Sequence, residues 1–129
     1  LALLSLSKLG YTAIDVYGAL GGRKDHELMN IQLLAHDELR NLDIRLLNDT
    51  NEITLLTAGD HVIAPDNKKK YISFIPVHDK TLVTLNGFKY DIQDTYLHIG
   101  RTLTVSNEFK EPSAAVKTDK DILMIKSTD

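Results

Sequence analysis

The hydrophobic period changes once along this chain, at the cluster Asn48-Asp49-Thr50-Asn51. Before it, Leu28, Ile31, Ala35, Leu39, Leu42 and Leu46 recur at steps of three or four, which keeps them on one stripe of a helix. After it come short alternating runs, "EITLLT", "HVIAP", "KYISFIPV", "KTLVTL", "FKYDI" and "RTLTV", separated by Gly, Asp, Asn or Pro. In "RTLTV" the alternation sets Leu103 and Val105 inward. A helical half followed by a run of strands predicts an α+β fold, with N-terminal helices packed against a small antiparallel β domain.

The details fill in that outline. A first helix, with Leu1 and Leu4 on one face, ends at Gly10. Tyr11 to Tyr17 reads as an extended connector, and Gly18, Gly21 and Gly22 break the chain. The main helix is expected over Asp25–Leu47, about twenty residues by its periodicity, with Asp25 as N-cap and Glu27 in the first turn. In "TLVTLNGFKYDIQD" the pair Asn86-Gly87 is the expected tip of a hairpin, with Phe88 and Tyr90 sharing one side of its second strand. From Glu111 to Asp129 the chain is polar around one apolar cluster, Ile122-Leu123-Met124-Ile125, and is expected to be an extended C-terminal arm. The organisation read from this is one α+β domain over 1–110, helical over 1–50 and β-rich over 51–110, then a tail over 111–129.

Composition narrows the chemistry. A net charge of −3 leaves no global basic field for gripping nucleic acid. The absence of cysteine excludes disulfides, thiolate metal sites and a cysteine nucleophile. No apolar run spans a bilayer, and "LALLSLSKLG" lacks the basic start of a signal peptide. None of the five histidines pairs with another at i, i+3 or i+4. There is no Gly-x-Ser-x-Gly, no P-loop and no Gly-x-Gly-x-x-Gly. Gly18, Gly21 and Gly22 have the wrong spacing and are expected between helical segments, without a phosphate role. Lys68-Lys69-Lys70 follows Pro65-Asp66-Asn67 and is expected to project from a turn, where an acidic partner or DNA could meet it. No catalytic residue, metal ligand or cofactor site is expected from these patterns.

The order of the pieces resembles the tail tubular protein A family, the head-to-tail adaptors of short-tailed bacteriophages. The resemblance rests on "SKLGYTAID", on Ile63-Ala64-Pro65-Asp66-Asn67 and on Leu85-Asn86-Gly87-Phe88-Lys89-Tyr90-Asp91, and runs from about Ser5 to Val105. Leu42–Asn48 stands where that family has an aromatic-rich helix end, and its C-terminal helix is not evident here.

That resemblance implies a non-enzymatic virion protein of the neck, in a ring, twelvefold in the family. Its partners would be the portal and the tail nozzle, with double-stranded DNA passing through unread and no membrane involved. Subunit or partner contacts would then fall on Asn86, Gly87, Lys68, Lys69, Lys70, Ile122, Leu123, Met124 and Ile125. Two other classes stay open. One is a small binding module that takes a peptide or small ligand through its β half. The other is a hydrolase in which His78-Asp79 or His36-Asp37 meets a serine.

Overall fold

The computed structural model describes residues 2–129; Leu1, expected beside Leu4 on the first helix, lies outside them. Among the described residues there are two helices, α1 (Ala2–Lys8) and α2 (Lys24–Leu33), and nine strands. The strands are β1 (Ala13–Tyr17), β2 (Asp43–Leu47), β3 (Asn51–Leu56), β4 (Gly59–Ile63), β5 (Tyr71–Pro76), β6 (Thr81–Asn86), β7 (Ile92–Leu97), β8 (Ala114–Thr118) and β9 (Ile122–Ser127). They form a five-stranded sheet in the order β1-β2-β3-β9-β5 and a four-stranded sheet in the order β4-β8-β6-β7. The chain is therefore mostly β, and the expected helical half packed on a small β domain is overturned.

The two sheets share one core. Leu56, Ile72, Phe74, Ile122 and Met124 from the first meet Ile63, Val83, Leu85, Leu97, Ala114 and Val116 from the second. This is face-to-face sandwich packing. The other face of the five-stranded sheet carries a second core, in which Ile44, Leu46 and Ile53 pack with Leu34 and Leu39. Leu3 and Leu4 of α1 and Ile31 of α2 close over it.

The expected C-terminal arm over 111–129 is instead two strands: β8, hydrogen-bonded to β4 and β6, and β9, hydrogen-bonded to β3 on one side and β5 on the other. Ile122 and Met124 face the sandwich core, while Leu123 and Ile125 face the helical core. A strand covered on both faces reads as an unbroken apolar run, so "ILMI" has no alternation to betray it.

The main helix is half the expected length. It starts at Lys24 with Arg23 as a cap that makes no side-chain hydrogen bond, and it stops at Leu33. Residues 34–42 are turns, and Asp43–Leu47 is β2, parallel to β1. Leu42 and Leu46 fit a helical step of four, but Ile44 and Leu46 fit alternation equally well. The pairing with β1 thirty residues earlier decides between them: Arg45, on the opposite face, bonds Asp15 at 2.6 Å and reaches Glu52 at 3.5 Å. The first helix does end as expected. Gly10 has φ +92°, its N–H donates to Ser7 O (3.0 Å), and the Tyr11 N–H donates to Leu6 O (3.2 Å), the Schellman pattern.

The hairpin survives with its tip moved. Leu85 pairs with Ile92, so β6 and β7 are joined by the five-residue loop 87–91, and "FKYD" is not a strand. Phe88 is drawn into the core, where its ring stands edge-on to Phe74 at 5.5 Å and tilted against Phe109 at 5.2 Å. "RTLTV" is not a strand either, and Leu103 and Val105 point outward. The Thr104 hydroxyl and carbonyl both bond the Phe74 backbone, which ties this segment to β5 as an irregular strap.

Candidate functional site

The strap and the 87–91 loop meet at one edge of the sandwich. Ile72 and Asn107 exchange both backbone hydrogen bonds at 2.9 Å, Lys89 N–H donates to Glu108 O (2.8 Å), and Lys110 N–H donates to Gly87 O (2.9 Å). Residues 104–110 thus stitch β5 of one sheet to the hairpin loop of the other. Gly87 permits the close approach: its φ is +96°, and a Cβ there would lie 3.0 Å from both Ala114 Cα and Ser113 O.

Asn107 organises this edge. It is only 3% exposed. Its Oδ1 accepts from Tyr90 N–H (3.0 Å) and Glu108 N–H (2.9 Å), and its Nδ2 donates to Tyr90 O (2.9 Å). The preceding residue, Ser106, takes φ +62° and donates its N–H to Ser73 Oγ at 2.9 Å. A non-glycine residue in the left-handed region persists where the surroundings fix it.

The groups held outward by this frame are an aromatic ring and a carboxylate. Tyr90 is 59% exposed. Glu108 lies between two lysines, with Oε1 3.9 Å from Lys70 Nζ and Oε2 3.6 Å from Lys89 Nζ. The Lys89 ammonium also lies 5.4 Å from the Tyr90 centroid. Tyr90 and then Glu108 hold the Lys89 pKa above its usual value. An exposed π face beside a carboxylate suits a cationic aromatic ligand. Replacing Asn107 with alanine strips partners from two N–H groups and a carbonyl and is expected to cost about 1–3 kcal/mol in urea unfolding.

A second feature stands at the same end of the five-stranded sheet. β1, the loop 18–23, α2 and β2 form a βαβ unit, so Gly18, Gly21 and Gly22 lie between a strand and a helix, not between helices. All three have positive φ, and a Cβ at any of them would meet open space. The loop is knitted to α2: Gly21 N–H donates to Glu27 Oε2 (2.6 Å) and Asn30 Nδ2 donates to Ala19 O (3.1 Å). That Gly21 hydrogen bond holds the Glu27 carboxyl below the usual range. A glycine loop at the carboxyl end of a parallel strand, opening a helix with exposed Arg23 and Lys24, is the usual place for anionic ligands in α/β sheets. The carboxyl ends of β1 and β2 and the first residue of β5 share one end of the sheet. β1 and β5 are four strand intervals apart, about 19 Å at the usual spacing.

The residues singled out from sequence fall in several places. Asn86 ends β6, exposed, opposite Ala115. Lys68 is exposed in a turn, with its N–H on Asp66 Oδ1 (2.8 Å), and Lys69 Nζ is 3.5 Å from Asp66. Lys70 reaches the edge described above, while Ile122, Leu123, Met124 and Ile125 lie inside the sheet. His36 Nδ1 accepts its own loop's Glu38 N–H, and His98 pairs with Asp79. Among the described residues no group of three His, Asp or Glu side chains is disposed to hold a metal ion. No helix among them is long and apolar enough to cross a membrane. Asn107 and Glu108 escaped the sequence reading; their signal was a polar "SNE" between apolar residues where a strand was expected to run out. A cavity of about 260 Å³ lined by Pro76, Tyr96, His98, Arg101 and Leu103 lies at the opposite end of the sandwich.

Residues 60–123 match the family model described as "Thiamin pyrophosphokinase, vitamin B1 binding domain". The chain is 42% identical over 118 residues to the thiamine pyrophosphokinase of Bacillus subtilis (strain 168), covering 90% of this chain and 55% of that protein. The crystal structure of the Bacillus subtilis enzyme superposes with a TM-score of 0.93 at 38% identity, over 99% of this chain and 61% of that one. The Geobacillus thermodenitrificans thiamin pyrophosphokinase gives 0.88 at 31% identity, over 99% and 60%. The chain spans about half the length of the curated relatives it matches. These relatives are enzymes of cellular organisms, so the expectations of a non-enzyme, a virion location, a ring, a portal, a tail nozzle and a DNA channel are overturned with the phage resemblance. By sequence and by fold, the chain is similar to the thiamine pyrophosphokinases, and residues 60–123 match their vitamin B1 binding domain.

Proposed function

We propose that this chain binds thiamin at the sandwich edge formed by Tyr90, Asn107 and Glu108, and that it takes part in pyrophosphoryl transfer to the bound thiamin. The observation that carries the reading is that the segment matching the vitamin B1 binding domain contains this whole edge. Thiamin is a flat aminopyrimidine joined to a permanently cationic thiazolium. Tyr90 supplies a face for stacking, and Glu108 supplies a negative charge for the cation.

Pyrophosphoryl transfer joins the thiamin hydroxyl oxygen to the β-phosphorus of a nucleoside triphosphate. The bridging bond to the α-phosphate breaks and the nucleoside monophosphate leaves. The glycine loop 18–23 is the part of this chain suited to the polyphosphate, through backbone N–H groups and the start of α2.

Tyr90→Ala tests the reading, because Tyr90 is exposed and its removal leaves the core intact. Titration calorimetry with thiamin is expected to show binding weakened roughly tenfold, the scale of one aromatic stacking contact. Unchanged affinity, with an unchanged urea midpoint, removes this edge as the thiamin site. A β-half binding module without transfer remains the second reading, favoured if thiamin binds and no pyrophosphoryl transfer accompanies it.

A further inference from the structure

We propose that the Lys89 ammonium is an internal occupant of the thiamin site, placed where the substrate's cationic ring would sit and displaced when thiamin binds. It lies 5.4 Å from the centroid of Tyr90 and 3.6 Å from Glu108 Oε2, the two groups that would otherwise recognise a cationic aromatic ligand. The inference rests on the reading that thiamin uses Tyr90 and Glu108.

The geometry separates what is fixed from what can move. The Lys89 backbone is pinned, its N–H on Glu108 O at 2.8 Å. Its side chain is 55% exposed, so the ammonium can swing into water on four rotatable bonds without disturbing the loop. Lys70 faces the other carboxylate oxygen, Oε1, at 3.9 Å. Departure of Lys89 therefore frees Oε2 while Glu108 stays oriented by Lys70 and by its N–H on Asn107. The thiazolium carries a permanent charge and satisfies ring and carboxylate together. The lysine makes the same two contacts weakly, as an exposed cation–π pair and an exposed ion pair.

An internal occupant lowers apparent affinity by the fraction of time the site is open. Contacts of this strength fill the site about two-thirds to nine-tenths of the time, so removing the charge should tighten thiamin binding roughly three- to tenfold. This sign is opposite to that expected of a lysine that contacts the substrate.

The test is titration calorimetry of the full chain with thiamin, comparing the wild type with Lys89→Gln and Lys89→Arg, each first shown to share its urea midpoint. Lys89→Gln is expected to bind thiamin three- to tenfold tighter, and Lys89→Arg, which keeps the charge, to stay within about twofold of the wild type. Weaker or unchanged binding in Lys89→Gln overturns the inference, as does equal tightening in both variants, which would make the effect steric. Failure of the wild type to bind thiamin at all would instead overturn the underlying assignment of the site.

Discussion

Phe88→Ala is expected to lower the stability of the chain by about 3–5 kcal/mol, seen as a fall in the urea midpoint with little change in slope. Phe88 is 1% exposed and touches three parts of the molecule: Phe74 on β5 of the five-stranded sheet, Phe109 on the strap, and the core of the four-stranded sheet. Its ring is the plug that joins the hairpin loop to both sheets, so truncation opens a cavity that no single neighbour can fill. Asp91 Oδ1 also caps the Phe88 N–H at 2.9 Å, which fixes the loop in the conformation that sends the next aromatic, Tyr90, outward. Thiamin binding should therefore weaken together with stability in this variant, whereas Tyr90→Ala should change binding alone. A loss below about 1.5 kcal/mol would mean that the site collapses cheaply and that the loop is held by its hydrogen bonds instead.

This residue also shows why the site was only partly legible in the sequence. The pair Phe88 and Tyr90 was visible at i, i+2, but alternation assigns such residues to one face only if the segment is a strand. Five loop residues replace the two-residue tip, and the two rings part, one into the core and one into solvent. The strands β3 to β6 fall on the expected runs, and β6 shows why, since a half-buried strand alternates: it buries Thr81, Val83 and Leu85 and leaves Leu82 and Thr84 half-buried between them. β9 was not legible, since in "ILMI" burial on both faces erases the period. The βαβ unit was hidden for a different reason. β1 and β2 are each five residues long and find each other only across α2, so local pattern could not separate Asp43–Leu47 from a helix. Misplacing β1 as a connector then disguised the glycine loop, whose meaning depends on a parallel strand before it. Asn107 was the least visible of all. Its importance lies in the two hydrogen bonds it makes to Tyr90, seventeen residues away, and no spacing rule marks a buried asparagine.

Asp121→Ala is expected to cost about 2–4 kcal/mol at neutral pH, and the loss should shrink in acid. Asp121 sits in the turn between β8 and β9 and takes both arms of a bidentate contact from Arg40, Nε to Oδ2 and Nη2 to Oδ1, each at 2.7 Å. It also accepts the Ala58 N–H at 3.1 Å. Arg40 belongs to the turns after α2, so this one carboxylate fastens the βαβ layer to the sandwich at the end opposite the glycine loop. Removing it leaves a half-buried guanidinium and a backbone N–H without their acceptor, which is why the expected loss exceeds that of an exposed ion pair. The Arg40 hydrogen bonds, and to a lesser degree Ala58, Arg40's charge and nearby His78, hold the Asp121 carboxyl below the usual range. A carboxyl whose folded pKa is lowered stabilises the fold fully above its unfolded pKa of about 3.9, and that contribution fades as pH falls through the folded value. The gap between wild type and variant should thus be constant from about pH 5 to 8 and close progressively below about pH 4. Urea unfolding of both proteins at pH 7 and in the acid limb measures it directly. A gap that stays constant into strong acid would mean that the Arg40 contact contributes through packing and not through charge.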